Sequence, residues 1–343
     1  MVTVTGTVRV GGQTIPVTAD LTLPGAASRG VWVLQQFETI ATLRAFGPTL
    51  ADIMATVPAV TGFCVRMGWR QLLAAGGINV VLNASKALAE TNGLELAFRP
   101  MAGRHTPAAT LTGMGNDYTA TNTAGEAWPL PFSRAGTAGN PVFEQAYAAL
   151  AHDVAAWYAA NGSTLLHHSW FAMDWAELNH GKEVRAVPGY TQARWLEGHK
   201  RLVTAVASAT EGMGVVNEWP LSGYGPLTEV SPQLADHMVS LFAEPECSIQ
   251  GNGWSFEDQW GAATPAVRVL MDKCWERPLT HGLQAIQPWG GTNQPQYTAA
   301  QVTAALGQAT EVDAAYVEIY APSLRASTGG AVWAQPLAAW SAT

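Results

Sequence analysis

The sequence predicts an α/β chain: a (β/α)₈ TIM barrel preceded by a short N-terminal antiparallel β-hairpin. Three observations predict it. Eight short apolar runs recur between residues 25 and 325, with helical periodicity in the segments between them. No G-x-G-x-x-G opens a helix and no Walker loop occurs, which counts against the rival layout, an open doubly wound sheet. Residues 2–10 and 14–23 instead alternate apolar residues with Thr, Arg and Asp.

The alternating runs VTVTGTVRV and TIPVTADLTL flank Gly11-Gly12-Gln13, a hairpin signal. A lone hairpin is marginal in water, so this one is expected to cover the lower end of the barrel or to dock a partner chain. Pro24-Gly25 marks its end. The layout is therefore a hairpin over 1–24, a barrel over 25–325 and a C-terminal tail over 326–343.

The barrel strands are expected at Val31–Gln36, Val60–Met67, Leu94–Arg99, Thr164–His168, Met213–Glu218, Cys247–Asn252, Gly282–Pro288 and Ala315–Tyr320. Helices fit between them. Asn140-Pro141 reads as an N-cap and first turn, and Phe143, Tyr147, Leu150, Val154 and Trp157 then repeat at helical spacing up to Asn161-Gly162. Trp195, His199, Leu202 and Val206 share that period. Ser231-Pro232 and Thr264-Pro265 read as further helix starts, and Thr298 with Gln301 as a capping box. Residues 100–139, rich in Gly, Thr, Ala and Pro, read as an irregular insertion able to wall a cleft.

Composition narrows the function. Only 13% of residues are charged, and the net charge is −8 with no basic block, which argues against nucleic-acid or anionic-membrane surfaces. No apolar run is long enough for membrane insertion. The start of the chain shows no export signal, so cytoplasmic synthesis is expected. Cys64, Cys247 and Cys274 have no metal-like spacing and read as buried small hydrophobes. The 14 tryptophans exceed what a core needs and suggest aromatic surface for sugars or partner proteins.

In a barrel, chemistry collects at the C-terminal strand ends. Those ends offer Arg66 and Trp69, then Arg99, then the dense segment TLLHHSWFAMDWAELNHG with His168, Trp170 and Glu177. Beyond them come Asn217-Glu218, Gln250 to Trp254 with Asn252, Gln287 to Trp289, and Glu318 with Tyr320. Carboxylate, amide, arginine and tryptophan suit a carbohydrate ligand: Trp is a plate for a sugar ring, and paired carboxyls move protons. Glu218 and Glu318 sit in apolar strands, where a carboxylate is costly, so a salt bridge with Arg66 or Arg99 is the structural alternative to a site. Glu177 reads equally as an ordinary loop or helix residue. No metal motif, no cofactor fingerprint and no G-x-S-x-G elbow occurs.

The segment GFCVRMGWRQL resembles the second strand of barrel glycoside hydrolases of the large retaining clan, where an arginine supports the nucleophile; that resemblance gives the role to Arg66. VVNEWP resembles the clan's acid/base strand, implying Asn217 on a sugar hydroxyl and Glu218 as acid/base. YVEIY resembles the nucleophile strand, implying Glu318. The clan places its two glutamates on strands four and seven, whereas the count here gives five and eight. If that count holds, Glu177 follows strand four, strand seven offers Gln287, and the barrel is one that binds glycans without hydrolysing them. The Ala-, Gly-, Thr- and Trp-rich style and the Val/Thr hairpin are also similar to minor tail proteins of actinobacterial phages, which implies a virion-associated structural or glycan-binding component.

Overall fold

The structure is a computed structural model. It describes residues 2–10, 13–21, 29–121, 125–162, 165–167, 182–222, 225–242, 247–254, 280–285 and 297–343, with backbone alone for 2–10, 13–21, 165–167, 182–183, 220–222, 225–231, 252–254, 280–281 and 285. Strands β1 (Val2–Val10) and β2 (Gln13–Leu21) pair antiparallel in a sheet of their own, Val2 opposite Leu21 and Val10 opposite Gln13. Strands β3 (Gly30–Phe37), β4 (Gly62–Gly68) and β5 (Glu95–Met101) follow, then the short antiparallel pair β6 (Thr119–Thr121) and β7 (Ala127–Pro129). The last five are β8 (Leu165–His167), β9 (Val216–Ser222), β10 (Cys247–Trp254), β11 (Thr280–Ala285) and β12 (Tyr316–Tyr320).

Eight of these strands close a parallel ring in the order β3, β4, β5, β8, β9, β10, β11, β12, and β12 pairs back onto β3. They are the first to eighth barrel strands. Side chains alternate across each strand, so each divides its residues between two environments. Val31, Val33, Phe63, Val65, Leu96, Phe98, Trp219, Val317 and Ile319 belong to the large buried cluster shared with the helices. Each such side chain stabilises the fold by about 1.5–3 kcal/mol. Trp32, Leu34, Cys64, Ala97 and Tyr316 form a second, smaller cluster in the lumen. Glycine makes room for it: a Cβ on Gly62 would run into the Trp32 ring, and one on Gly282 into the Tyr316 ring. These two aromatics fill the lower part of the lumen and leave polar residues above them.

Several helices follow the local chemistry of the sequence. The Asn140 side chain accepts from Phe143 N at the start of the helix Pro141–Asn161, and Gly162 ends it at φ +78°. Thr298 and Gln301 form their capping box ahead of the helix Ala299–Glu311. Among the described residues, no helix is long and apolar enough to cross a membrane.

The structure corrects four expectations. The fifth barrel strand starts at Val216 and runs to Ser222, rather than spanning Met213–Glu218. Gly212 and Gly214 take φ +70° and +68°, a turn conformation that keeps Met213 out of the strand. Glu218 therefore lies inside its strand instead of closing it. The helix expected from Ser231-Pro232 starts earlier, at Gly225, and holds Pro232 in its interior. The described part of 100–139 is not simply irregular. It contains the helix Ala108–Met114 and the β6–β7 pair, with Met114, Ala120, Trp128, Leu130 and Phe132 buried. In the segment expected as a tail, the helix Ala331–Ser341 buries Trp333, Leu337 and Trp340, and the Arg29 guanidinium sits 5.3 Å from the Trp340 ring centroid. The helix expected after Thr264-Pro265, and Cys274 on it, lie outside the described residues.

Candidate active site in the barrel lumen

Five barrel strands send a polar side chain to one point. Arg99 comes from the third barrel strand, Glu218 from the fifth, Gln250 from the sixth, Gln284 from the seventh and Glu318 from the eighth. Arg99 is the hub. Its Nη1 donates to Gln284 Oε1 at 2.7 Å, and its Nη2 donates to Gln250 Oε1 at 2.7 Å and to Glu318 Oε2 at 2.9 Å. Glu218 Oε1 lies 3.5 Å from the same Nη2. Gln250 Nε2 donates to Glu318 Oε2 at 3.2 Å and reaches the Tyr316 hydroxyl at 3.4 Å. All five side chains are buried, the two glutamates to 0% exposure. Burial of charge on this scale is tolerated only because the charges are paired and hydrogen-bonded.

The two carboxyls are not equivalent. Nη2 carries two hydrogens, and Gln250 and Glu318 take the short contacts with it. Glu218 is left the longer, chiefly electrostatic leg. Burial pushes the Glu218 carboxyl up to about 8, with Arg99 opposing in part. Burial would by itself lower Arg99, but Glu318, Cys64 and Glu218 outweigh it and hold the guanidinium above its ordinary value. The Cys64 thiol is raised well above its ordinary value, first by burial and then by the Glu318 charge, with Arg99 acting in the other direction.

A second polar layer lies two residues further along the eighth strand. The Tyr320 hydroxyl accepts from Arg66 Nη1 and from Gln284 Nε2, both at 3.0 Å. Arg66 also places Nε against Met101 Sδ at 2.6 Å. Arg66 is only half-buried, so this layer leads from the sealed centre toward the C-terminal mouth.

Of the residues singled out in the sequence, Glu218, Glu318 and Arg99 come together here. Arg66 joins them through Tyr320 and Gln284, and Arg99 takes the contact with Glu318 that the clan resemblance gave to Arg66. Asn217 does not join them. It follows the strand's alternation onto the helix side, where its Nδ2 donates to Thr210 Oγ1 at 3.1 Å. Trp69 starts the helix Trp69–Ala74 and is buried edge-on against Phe143 and Tyr147, with centroids 6.2 and 5.9 Å away, so it offers no plate to a sugar. Asn252 and Trp254 lie on β10, in register with Gln284 and Ala285 of β11; their side chains are outside the described residues. So are His168, Trp170, Glu177, Gln287 and Trp289 altogether. Gln284, Tyr316 and Cys64 were missed. Their signal was available, since each interrupts or punctuates an apolar run at the period that faces the lumen.

Among the described residues, no three His, Cys, Asp or Glu side chains come together as metal ligands would. A shallow groove of about 530 Å³ runs along the outer surface beside Glu144, Lys200, Arg201 and His237, and no candidate above lines it. It is partly closed by the Arg201–Glu144 ion pair at 3.0 Å.

No protein-family model matches the chain, and no curated protein matches it in sequence. Solved structures do match in fold. An endo-1,4-β-xylanase from Caldicellulosiruptor owensensis superposes with a TM-score of 0.50 at 7% identity, over 86% of this chain and 85% of that one. A D-psicose 3-epimerase from Clostridium cellulolyticum H10 gives 0.46 at 12% identity over 91% and 96%, and a D-allulose 3-epimerase from Methylomonas sp. 0.47 at 10% over 85% and 84%. At such identity, the likeness to the xylanase shows the barrel fold alone.

Proposed function

We propose that this barrel acts on a carbohydrate and cleaves a glycosidic bond with retention, using Glu218 as acid/base and Glu318 as nucleophile. The observation that carries the reading is their meeting on one nitrogen of Arg99. With legs of 3.5 and 2.9 Å, the two carboxyl oxygens are at most about 6.4 Å apart, short of the roughly 6.5–9.5 Å of inverting pairs and compatible with the roughly 5–5.5 Å of retaining ones. Glu218, raised by burial, would give its proton to the leaving oxygen as the C–O bond breaks. The Glu318 carboxylate would attack the anomeric carbon to form a glycosyl ester. Water, losing its proton to Glu218, would then release the sugar.

Glu218 and Glu318 do stand on the fifth and eighth barrel strands, the count for which the resemblance implied binding without hydrolysis; what supports the catalytic reading is their spacing around the closed ring. In the clan, the arginine and the two glutamates stand on strands two, four and seven. Here they stand on three, five and eight, the same spacing turned by one strand. Only relative position around a closed ring decides which side chains meet. Trp170, Trp254 and Trp289, with His168, Asn252 and Glu177, are proposed to line the mouth above this pair. The fold shared with a xylanase is compatible with the reading and assigns no residue.

One observation favours a second reading, a non-catalytic glycan-binding or structural barrel such as a phage tail component. Both glutamates are fully buried inside their strands, where an ion-paired polar core needs no substrate. Reducing-end release from a panel of cell-envelope and plant polysaccharides, together with binding isotherms, separates the two. The catalytic reading expects release by the wild type and none by Glu318→Gln, with binding kept. Binding without release by the wild type would establish the second reading instead.

A further inference from the structure

The register of the N-terminal sheet divides its residues cleanly. Directly opposite residues share a face in an antiparallel pair. One face therefore holds Val2, Val4, Val8 and Val10 with Leu21, Ala19, Val17 and Ile15, and the other holds Thr3, Thr5, Thr7 and Arg9 with Asp20, Thr18, Pro16 and Thr14. Two strands do not bury an apolar face of that size on their own. The barrel cannot lengthen the sheet, because its eight strands are already paired in a ring with no free edge. Among the described residues, β1 and β2 pair only with each other.

The two edges differ. Counting from the closing pair Val10–Gln13, the outward-facing backbone groups belong to Thr3, Thr5, Thr7 and Arg9 on β1, and to Thr14, Pro16, Thr18 and Asp20 on β2. Pro16 lacks an N–H and breaks the edge of β2, whereas the edge of β1 is intact. The β1 segment VTVTGTVRV also reads nearly the same in both directions about Gly6.

We propose that a second copy of this chain pairs with the β1 edge, antiparallel and two-fold symmetric about Gly6, to build the four-stranded sheet β2–β1–β1–β2. That register sets Val4 opposite Val8 of the second copy and Thr5 opposite Thr7, so both faces continue across the join and the outward hydrogen-bonding groups match. Charge complementarity selects the same arrangement. Within one hairpin, Arg9 and Asp20 stand at opposite ends, roughly 20 Å apart along the strands. In the symmetric sheet, Thr3 faces Arg9 of the second copy, which brings that arginine into the row of Asp20, two strands or about 10 Å away. The interface is isologous, so each such contact occurs twice.

Light scattering on the eluting 343-residue chain, together with sedimentation, tests this. The wild type is expected to dimerise, Arg9→Asp to weaken the dimer at least about 10-fold, and the double change Arg9→Asp with Asp20→Arg to restore it. Gly6→Cys should give a disulfide-linked dimer on oxidation, since Gly6 faces its own copy, while Val4→Cys, offset by several residues, should not. A wild type that stays monomeric at tens of micromolar overturns the proposal. So does a dimer indifferent to Arg9→Asp, a failure of the double change to restore it, or equal cross-linking at both cysteine positions.

Discussion

Glu218 and Glu318 stand three strands apart in the ring, yet both reach Nη2 of Arg99, at 3.5 and 2.9 Å. This convergence organises the lumen. It brings two carboxyls together on one guanidinium and makes them unequal, since Glu318 also accepts from Gln250 while burial raises Glu218. The Arg66–Tyr320–Gln284 layer lies next to this pair, toward the C-terminal ends of the strands.

Removing Arg99 should therefore damage the fold before it informs on catalysis. Arg99→Met leaves two buried carboxyls without their cation and is expected to cost about 3–5 kcal/mol. Adding Glu218→Gln and Glu318→Gln to it should recover much of that loss, because the lumen then buries no charge. Urea unfolding of the single and triple variants checks this; a triple variant no more stable than the single would show that the loss comes from packing.

Glu218 predicts a pH dependence with a definite sign. Its carboxyl has an ordinary value of 4.5 and rises to about 8 in the fold. The folded chain then holds a proton that the unfolded chain has lost throughout the interval between those values. The stability this group contributes is fully present below 4.5 and is lost as the pH climbs toward 8. Glu218→Gln cannot ionise, so the wild type should lose stability relative to this variant across that interval. Urea midpoints of both proteins from pH 5 to 8 give the test, and parallel curves would contradict the burial argument.

Asn217 and Trp69 should behave as framework residues. Trp69→Ala is expected to cost about 3–5 kcal/mol through the cavity left beside Phe143 and Tyr147. Asn217→Ala should cost about 1–3 kcal/mol by leaving Thr210 Oγ1 without its donor. Neither should change glycan affinity in the folded protein, as isothermal titration would report. A selective loss of affinity in either variant would return that residue to the site.

The ring and its count were legible in the sequence because each buried strand leaves a short apolar run, and eight such runs alternate with helical periods. Glu218, Arg99 and Glu318 were legible because charge inside an apolar strand is costly and implies a partner. The choice between Arg66 and Arg99 was not. It depends on how far along its strand each residue sits once the barrel is sheared, and a single strand does not record that offset. Asn217 misled because adjacency along a strand means opposite faces in space. Trp69 misled because an aromatic at a strand end serves a core as readily as a cleft. The structured nature of residues 100–139 was hidden by their Gly, Thr and Ala content, although Met114, Trp128, Leu130 and Phe132 supply the anchors.

The most direct test of the central claim is chemical rescue of Glu318→Ala, followed on an activated aryl glycoside that the wild type turns over. The variant is expected to be inactive alone and to regain turnover when azide fills the space left by the carboxylate. Azide would attack the anomeric carbon from the face Glu318 used, giving a glycosyl azide of inverted configuration that nuclear magnetic resonance can assign. Wild-type turnover that Glu318→Ala leaves unchanged would contradict the account, as would the absence of any azide product from the variant.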